Sequence, residues 1–145
     1  MTKIILTILT ILWLLVIFIF SNDTAKESDK VSNSVVDNTI YTACKIVSKK
    51  CNKKELRDRF GYPVRKLAHF TEYFILGILM IFTLRAYNIN PVYVPIIICF
   101  LYACTDEIHQ MFVKDRTASI IDVLIDTLGS TSSILLLFYF YFTNK

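Results

Sequence analysis

Long apolar runs alternate with shorter polar stretches along this chain. Residues 4–20 carry no charge. As a helix rising about 1.5 Å per residue they would reach about 25 Å, just enough with their flanks to cross a bilayer. Lys3 ahead of such a run also suits a signal peptide. The run is long for one, however, and Ile19-Phe20-Ser21 is a poor small-residue cleavage site, so a retained anchor is expected. Three further apolar stretches follow at residues 67–84, 92–113 and 120–142. Arg65-Lys66 and Arg85 bound the first of these. Tyr87-Asn88-Ile89-Asn90-Pro91 and Lys114-Asp115-Arg116 are short turns between the rest. Tyr139, Tyr141 and Phe142 close the last run as an aromatic interface anchor. The pattern predicts an all-α fold, a membrane bundle of about four transmembrane helices, in one domain over residues 1–145.

The stretch 21–66 between the first two spans is polar but patterned. Val36, Ile40, Ala43, Val47 and Cys51 recur at steps of three or four, with Lys45, Lys49 and Lys50 beside them. That spacing predicts a basic helix lying in the membrane interface, against the plainer reading of a solvated loop. Asn52-Lys53-Lys54-Glu55 resembles a capping box for a second short helix, which Gly61 and Pro63 would end.

Composition agrees: the chain is 54% hydrophobic with a mean hydropathy of +0.52. The block arrangement, more than these totals, decides for a membrane protein. Net charge is +4, and residues 21–66 hold eleven Lys or Arg against six Asp or Glu. Basic residues between spans suit anionic lipid head groups, so membrane lipids are expected partners and nucleic acid is not. Of four cysteines, Cys99 and Cys104 sit in an apolar run and are expected to pack as small hydrophobes. Cys44 and Cys51 on one continuous helix would be about 10 Å apart in rise, too far for a disulfide.

Short turns force the last three spans to alternate direction. The start of the second, the end of the third and the start of the fourth therefore meet at one membrane face. Arg65, Lys66, His69, Glu72 and Tyr73 come from the second, Asp106, Glu107, His109 and Gln110 from the third, and Asp122 and Asp126 from the fourth, with Arg116 in the joining turn. Counted inward from Arg116, Asp106 and Asp126 would each lie about 15 Å deep. A charge there costs about 3 kcal/mol or more unless paired or wetted, so these groups must face one another or water. Helical spacing allows it: Arg65, His69 and Glu72, and Asp122, Asp126 and Gly129, each fall on one stripe. The opposite face offers only Lys3, Arg85, Asn88, Asn90 and Lys145, which predicts a pocket open to one side.

Several roles fit these residues. His69 could simply bond a carboxylate on a neighbouring helix, and Arg116 with Asp122 could clamp the turn. Asp106 and Asp126 repel each other unless a cation, a shared proton or an arginine lies between them. His69, Glu72, Glu107, His109, Asp122 and Asp126 supply enough nitrogen and oxygen for zinc or a harder divalent cation, although their spacing matches no established metal signature. No cofactor is expected otherwise. Cys104 and His109 lie on different sides of a helix and make a poor nucleophile pair. No Ser-His-Asp order, phosphate loop or dinucleotide fingerprint occurs.

Three segments carry a family resemblance. Val64-Arg65-Lys66-Leu67-Ala68-His69-Phe70-Thr71-Glu72-Tyr73, followed by Leu76-Gly77, is the first. Thr105-Asp106-Glu107-Ile108-His109-Gln110, followed by Arg116, is the second. Asp122-Val123-Leu124-Ile125-Asp126-Thr127-Leu128-Gly129 is the third. Together, and in this order, they resemble the VanZ-like family over nearly the whole chain. Two departures stand out: Asp115 precedes Arg116 where family members often place glycine, and Ser130-Thr131-Ser132-Ser133 replaces small glycines. The resemblance implies a multi-pass bacterial cell-envelope membrane protein. The family is named for a protein linked to teicoplanin resistance, and no biochemical activity carries over with it.

Two functions are expected from the residues. One is a non-enzymatic pocket for the head group of a lipid or lipid-linked wall precursor, with a link to glycopeptide antibiotics. The other is an intramembrane enzyme using His69 or Glu72 as base, with Asp106 and Asp126 holding a cation. A transporter would need polar access from both faces. Orientation signals conflict: the excess of Lys and Arg on the pocket side favours the cytoplasm, whereas a Lys3-led anchor and an envelope role favour the exterior. The exterior is the reading taken.

Overall fold

A computed structural model of the chain describes residues 1–47 and 51–142, and the side chains up to residue 140. Among the described residues all regular structure is helical. The main helices are α1 (Thr2–Ser21), α2 (Ala25–Val36), α3 (Thr42–Val47), α4 (Lys53–Ala86), α5 (Tyr93–Gln110) and α6 (Ile120–Leu137). Single π-helical turns follow α2 at Asp37–Tyr41 and α6 at Phe138–Phe142. Helices α1, α4 and the α6 segment are long and apolar enough to cross a membrane. The third predicted span, α5, has the length but ends in Asp106, Glu107, His109 and Gln110, which offset its apolar first half.

The bundle has one apolar core. Ile17, Tyr73, Leu76, Ile81, Cys99, Ala103 and Ile134 form one buried cluster drawn from α1, α4, α5 and α6. Polar bonds link the spans, as expected where lipid offers no competing partner. The Thr10 and Thr83 hydroxyls meet at 2.8 Å, the Trp13 indole donates to the Glu72 carbonyl at 2.9 Å, and the Tyr102 hydroxyl donates to the Leu14 carbonyl at 2.7 Å. Ile4, Ile8, Leu12, Leu15 and Ile19 form an exposed apolar flank of α1.

Small residues bring α4 and α6 together. A Cβ on Gly77 would clash with Ser133 Oγ and lie 2.5 Å from the Ser130 carbonyl oxygen. One on Gly129 would lie 3.2 Å from the Phe70 carbonyl carbon and closer to its oxygen. The serines at 130 and 133 thus serve the close packing that glycines serve elsewhere. The turn before α6 tolerates its missing glycine differently. Asp115 adopts φ 63°, the left-handed conformation glycine takes freely and aspartate tolerates better than most.

Three expectations for the segment 21–66 need correction. First, α4 does not stop at Gly61 and Pro63 but runs through both. Gly61 lacks the positive φ of a helix-ending glycine and packs against the Asn33 side chain, so contact with α2 carries the helix onward. Second, the segment is helical as expected, not a solvated loop, but α2 and α3 are joined by a π turn at Asp37–Tyr41. Val36 is fully buried but Val47 is 88% exposed, so the expected stripe does not stay on one face. Lys49, Lys50 and Lys145 lie outside the described residues, as do the side chains of Tyr141 and Phe142. Third, Cys44 and Cys51 form a disulfide, with their Cα atoms 6.1 Å apart. The distance argument assumed one unbroken helix; α3 ends at Val47, and α4 starts anew at Lys53. Asn52 caps that start, its Oδ1 accepting from the Lys54 amide at 3.1 Å.

Candidate functional site

Helix α2 roofs the cluster of buried polar groups. It begins with a reciprocal capping box in which Thr24 Oγ accepts from the Glu27 amide and Glu27 accepts from the Thr24 amide. Ser28, Val31 and Ser32, at successive helical steps, face a cavity of about 140 Å³. Its other walls include Ile17 and Ser21 of α1, Arg65, His69 and Glu72 of α4, and Asp106 of α5. A second, more polar recess of about 240 Å³ shares Arg65, His69, Gln110 and Arg116 with it and adds Lys66 and Asp122. Ion pairs fasten the roof: Arg65 Nη1 lies 2.8 Å from Asp29 Oδ1, and Asp37 is held by Arg57 and by Lys53, the latter at 3.1 Å. Arg57 donates two hydrogen bonds to Asp37, and this guanidinium is the main cause holding the carboxyl down at about 2.

The acids deeper in the bundle are well hidden. Asp106 is 6% exposed, Glu107 3% and Asp126 0%. One carboxylate oxygen from each lies within 4.8 Å of the other two. His69 Nδ1 stands 3.5 Å from Asp126 Oδ1, the carboxylate pairing expected for a membrane histidine. Gln110 Nε2 donates to Asp106 Oδ2 at 3.2 Å and accepts at its own Oε1 from Arg116 at 2.8 Å. Glu107 Oε2 accepts from the Ser119 amide at 2.7 Å, tying α5 to the start of α6. Glu72 lines the cavity with Asp106 rather than joining the triplet.

Two predicted site residues, His109 and Tyr73, stand apart from this arrangement, and one expected pairing is replaced by another. Asp122 pairs with Lys66, not with Arg116, because the α6 N-terminus packs against α4 while Arg116 turns toward α5. His109 lies outside the cluster; its Nε2 meets Asn22 Oδ1 at 3.0 Å, and its ring sits 4.7 Å from that of Phe18. Of the six candidate ligands, Glu107 and Asp126 lie close together with Asp106, His69 stands beside Asp126, and His109 faces Asn22 instead. Tyr73 is fully buried beside Tyr102 in the core. The sequence reading also missed the contribution of α2. Its capping box and the spacing of Ser28, Val31 and Ser32 were the available signals.

Against this geometry, comparison with known families is decisive. The VanZ/LLP1 family model matches residues 6–141. The chain belongs to the VanZ/LLP1 family. No curated protein and no solved structure matches it. Membership in VanZ/LLP1 agrees with the all-helical, membrane-type bundle and covers all three motifs that line or abut the cavity.

Proposed function

We propose that this VanZ/LLP1 protein is a non-enzymatic, multi-pass cell-envelope protein whose one-sided pocket binds the anionic head group of a lipid or lipid-linked wall precursor. The observation that carries this reading is the amphiphilic make-up of the paired recesses. Ile17, Phe20, Val31 and Ala68 offer apolar wall to a chain, while Arg65 and Arg116 stand where the two recesses join. Arg116 keeps a buried Nε without a protein partner. A guanidinium so placed suits a phosphate or carboxylate. The Cys44–Cys51 disulfide lies on the same side of the bundle and favours an oxidising, exterior location.

Purified protein in nanodiscs tests this by native mass spectrometry with anionic and zwitterionic lipids. Retained anionic lipid is expected in the wild type and lost in Arg116→Ala. Unchanged binding in a folded Arg116→Ala protein refutes the assignment. The same variant, expressed in cells, tests the link to glycopeptide susceptibility. The second reading, an intramembrane enzyme, draws on one feature: an imidazole oriented by a buried carboxylate at the cavity wall. Turnover of polyprenyl-linked substrates that vanishes in His69→Gln would favour it over simple binding.

A further inference from the structure

We infer, resting on the lipid reading above, that the cavity is loaded sideways from the bilayer through an apolar lip formed by Phe20, Val31 and Ala68. A ligand seated there leaves its hydrocarbon chain in the membrane. Among the described residues lining the cavity, the exposed ones are Phe20 at 50%, Val31 at 61% and Ala68, and all three are apolar. Every polar or charged residue of that lining, Arg65, His69, Asp106 and Arg116 among them, is half-buried or buried. An apolar rim facing water leaves its side chains hydrated at a cost, whereas one facing hydrocarbon does not.

Position agrees with chemistry. Phe20 is the penultimate residue of α1, and Ala68 lies one helical turn beyond Arg65, at the start of the apolar run of α4. Both stand at the edge of the hydrocarbon, where a lipid chain meets its head group. Deeper in, the Trp13 indole holds α1 against α4 through its bond to the Glu72 carbonyl. A chain crossing the lip therefore turns out into lipid rather than down between the helices. The second recess has the opposite rim. Its exposed described residues are Tyr62, Asp115 and Thr117, each bearing a polar group. Asp115 and Thr117 belong to the turn between α5 and α6, outside the spans. The two recesses share Arg65, His69, Gln110 and Arg116, so one floor joins an opening to lipid with an opening to water. The occupant that uses both openings is an anionic amphiphile. Its chain crosses the lip, its phosphate or carboxylate meets the arginines, and its hydrophilic end reaches water.

The probe is phosphatidylglycerol carrying a diazirine near the carboxyl end of one chain, in nanodiscs of phosphatidylcholine that hold the full-length protein. After photolysis, peptide mass spectrometry maps the adducts. Adducts at Phe20 and Val31 should exceed those at Leu12, which lies on the exposed flank of α1 and reports surrounding lipid. Arg116→Ala removes a head-group anchor and should lower the lip adducts about tenfold, with Leu12 unchanged. Ala68→Trp narrows the lip and should lower them about as much. Ala68→Ile replaces it if the tryptophan variant is not monodisperse. Lip adducts no denser than those at Leu12, or undiminished in the folded Ala68 variant, overturn the lateral route. Phosphatidylglycerol still retained in the native mass spectrum then leaves the lipid reading standing. No retained phosphatidylglycerol in the wild type overturns the lipid reading and the route with it.

Discussion

Replacing Gly77 by alanine should separate α4 from α6 and lower stability, although alanine is the better helix former. The added Cβ would meet Ser133 Oγ, which can rotate away, and the Ser130 carbonyl oxygen at 2.5 Å, which cannot. Ordinary contact begins near 3.4 Å, so the helix backbones must part by nearly 1 Å. Overpacking of this kind costs about 1–3 kcal/mol. Improved helix propensity returns up to about 1 kcal/mol. The expected net loss is therefore up to about 2 kcal/mol. Gly61→Ala is the internal control. Its Cβ would meet only the end of the Asn33 side chain, at 2.9 Å, and that group can swing aside. The propensity gain should then survive, leaving Gly61→Ala neutral or slightly more stable. Both variants can be followed by unfolding in mixed SDS and dodecyl maltoside micelles, monitored by helical circular dichroism. The reasoning fails if Gly77→Ala is as stable as wild type, or if Gly61→Ala is the more damaging of the two.

Other outcomes follow from single contacts. Lys66→Met strands the buried carboxylate of Asp122 and should cost about 3–5 kcal/mol, much of it recovered in Lys66→Met/Asp122→Leu, as the same unfolding assay would show. Asp37 has its carboxyl lowered from 3.8 to about 2 by Arg57, so this anchor of α2 contributes stability above about pH 4 and loses it as pH falls toward 2. Hydrogen exchange in α2 should rise across that acidic window and lose this dependence in Asp37→Asn. Asp115→Gly should be tolerated, whereas Asp115→Val should cost about 1–2 kcal/mol at its left-handed position, read from the unfolding midpoint. Cys44 and Cys51 should resist an impermeant maleimide in intact cells until a reductant opens their disulfide; no labelling after reduction argues against an exterior pocket.

The sequence made the spans legible because each carries a long, mostly apolar stretch bounded by polar turns, and it made the convergence legible because two turns are too short for anything but reversal. Asp106 and Asp126 come together for that reason. Pair assignments were less legible. Lys66 and Arg116 both lie near Asp122 in any such topology, and helix rotation, which periodicity fixes only coarsely, decides that Lys66 reaches it. His109 shares a segment with Asp106 but points toward α1, about 60° away round the helix from Asp106. The Cys44–Cys51 bridge was hidden because apolar spacing continued past the point where the helix breaks.

The close packing of α4 on α6 and the buried charge cluster depend on each other. Gly77 and Gly129 let the two backbones approach, and that approach sets His69 within 3.5 Å of Asp126. A wider gap would leave the imidazole and carboxylate each buried alone, a costly arrangement in lipid. Glu107 ties the third helix in through the Ser119 amide at the head of α6, so a shift of α6 changes the spacing of all three acids. Small residues far from any ligand therefore govern the geometry of the charged site.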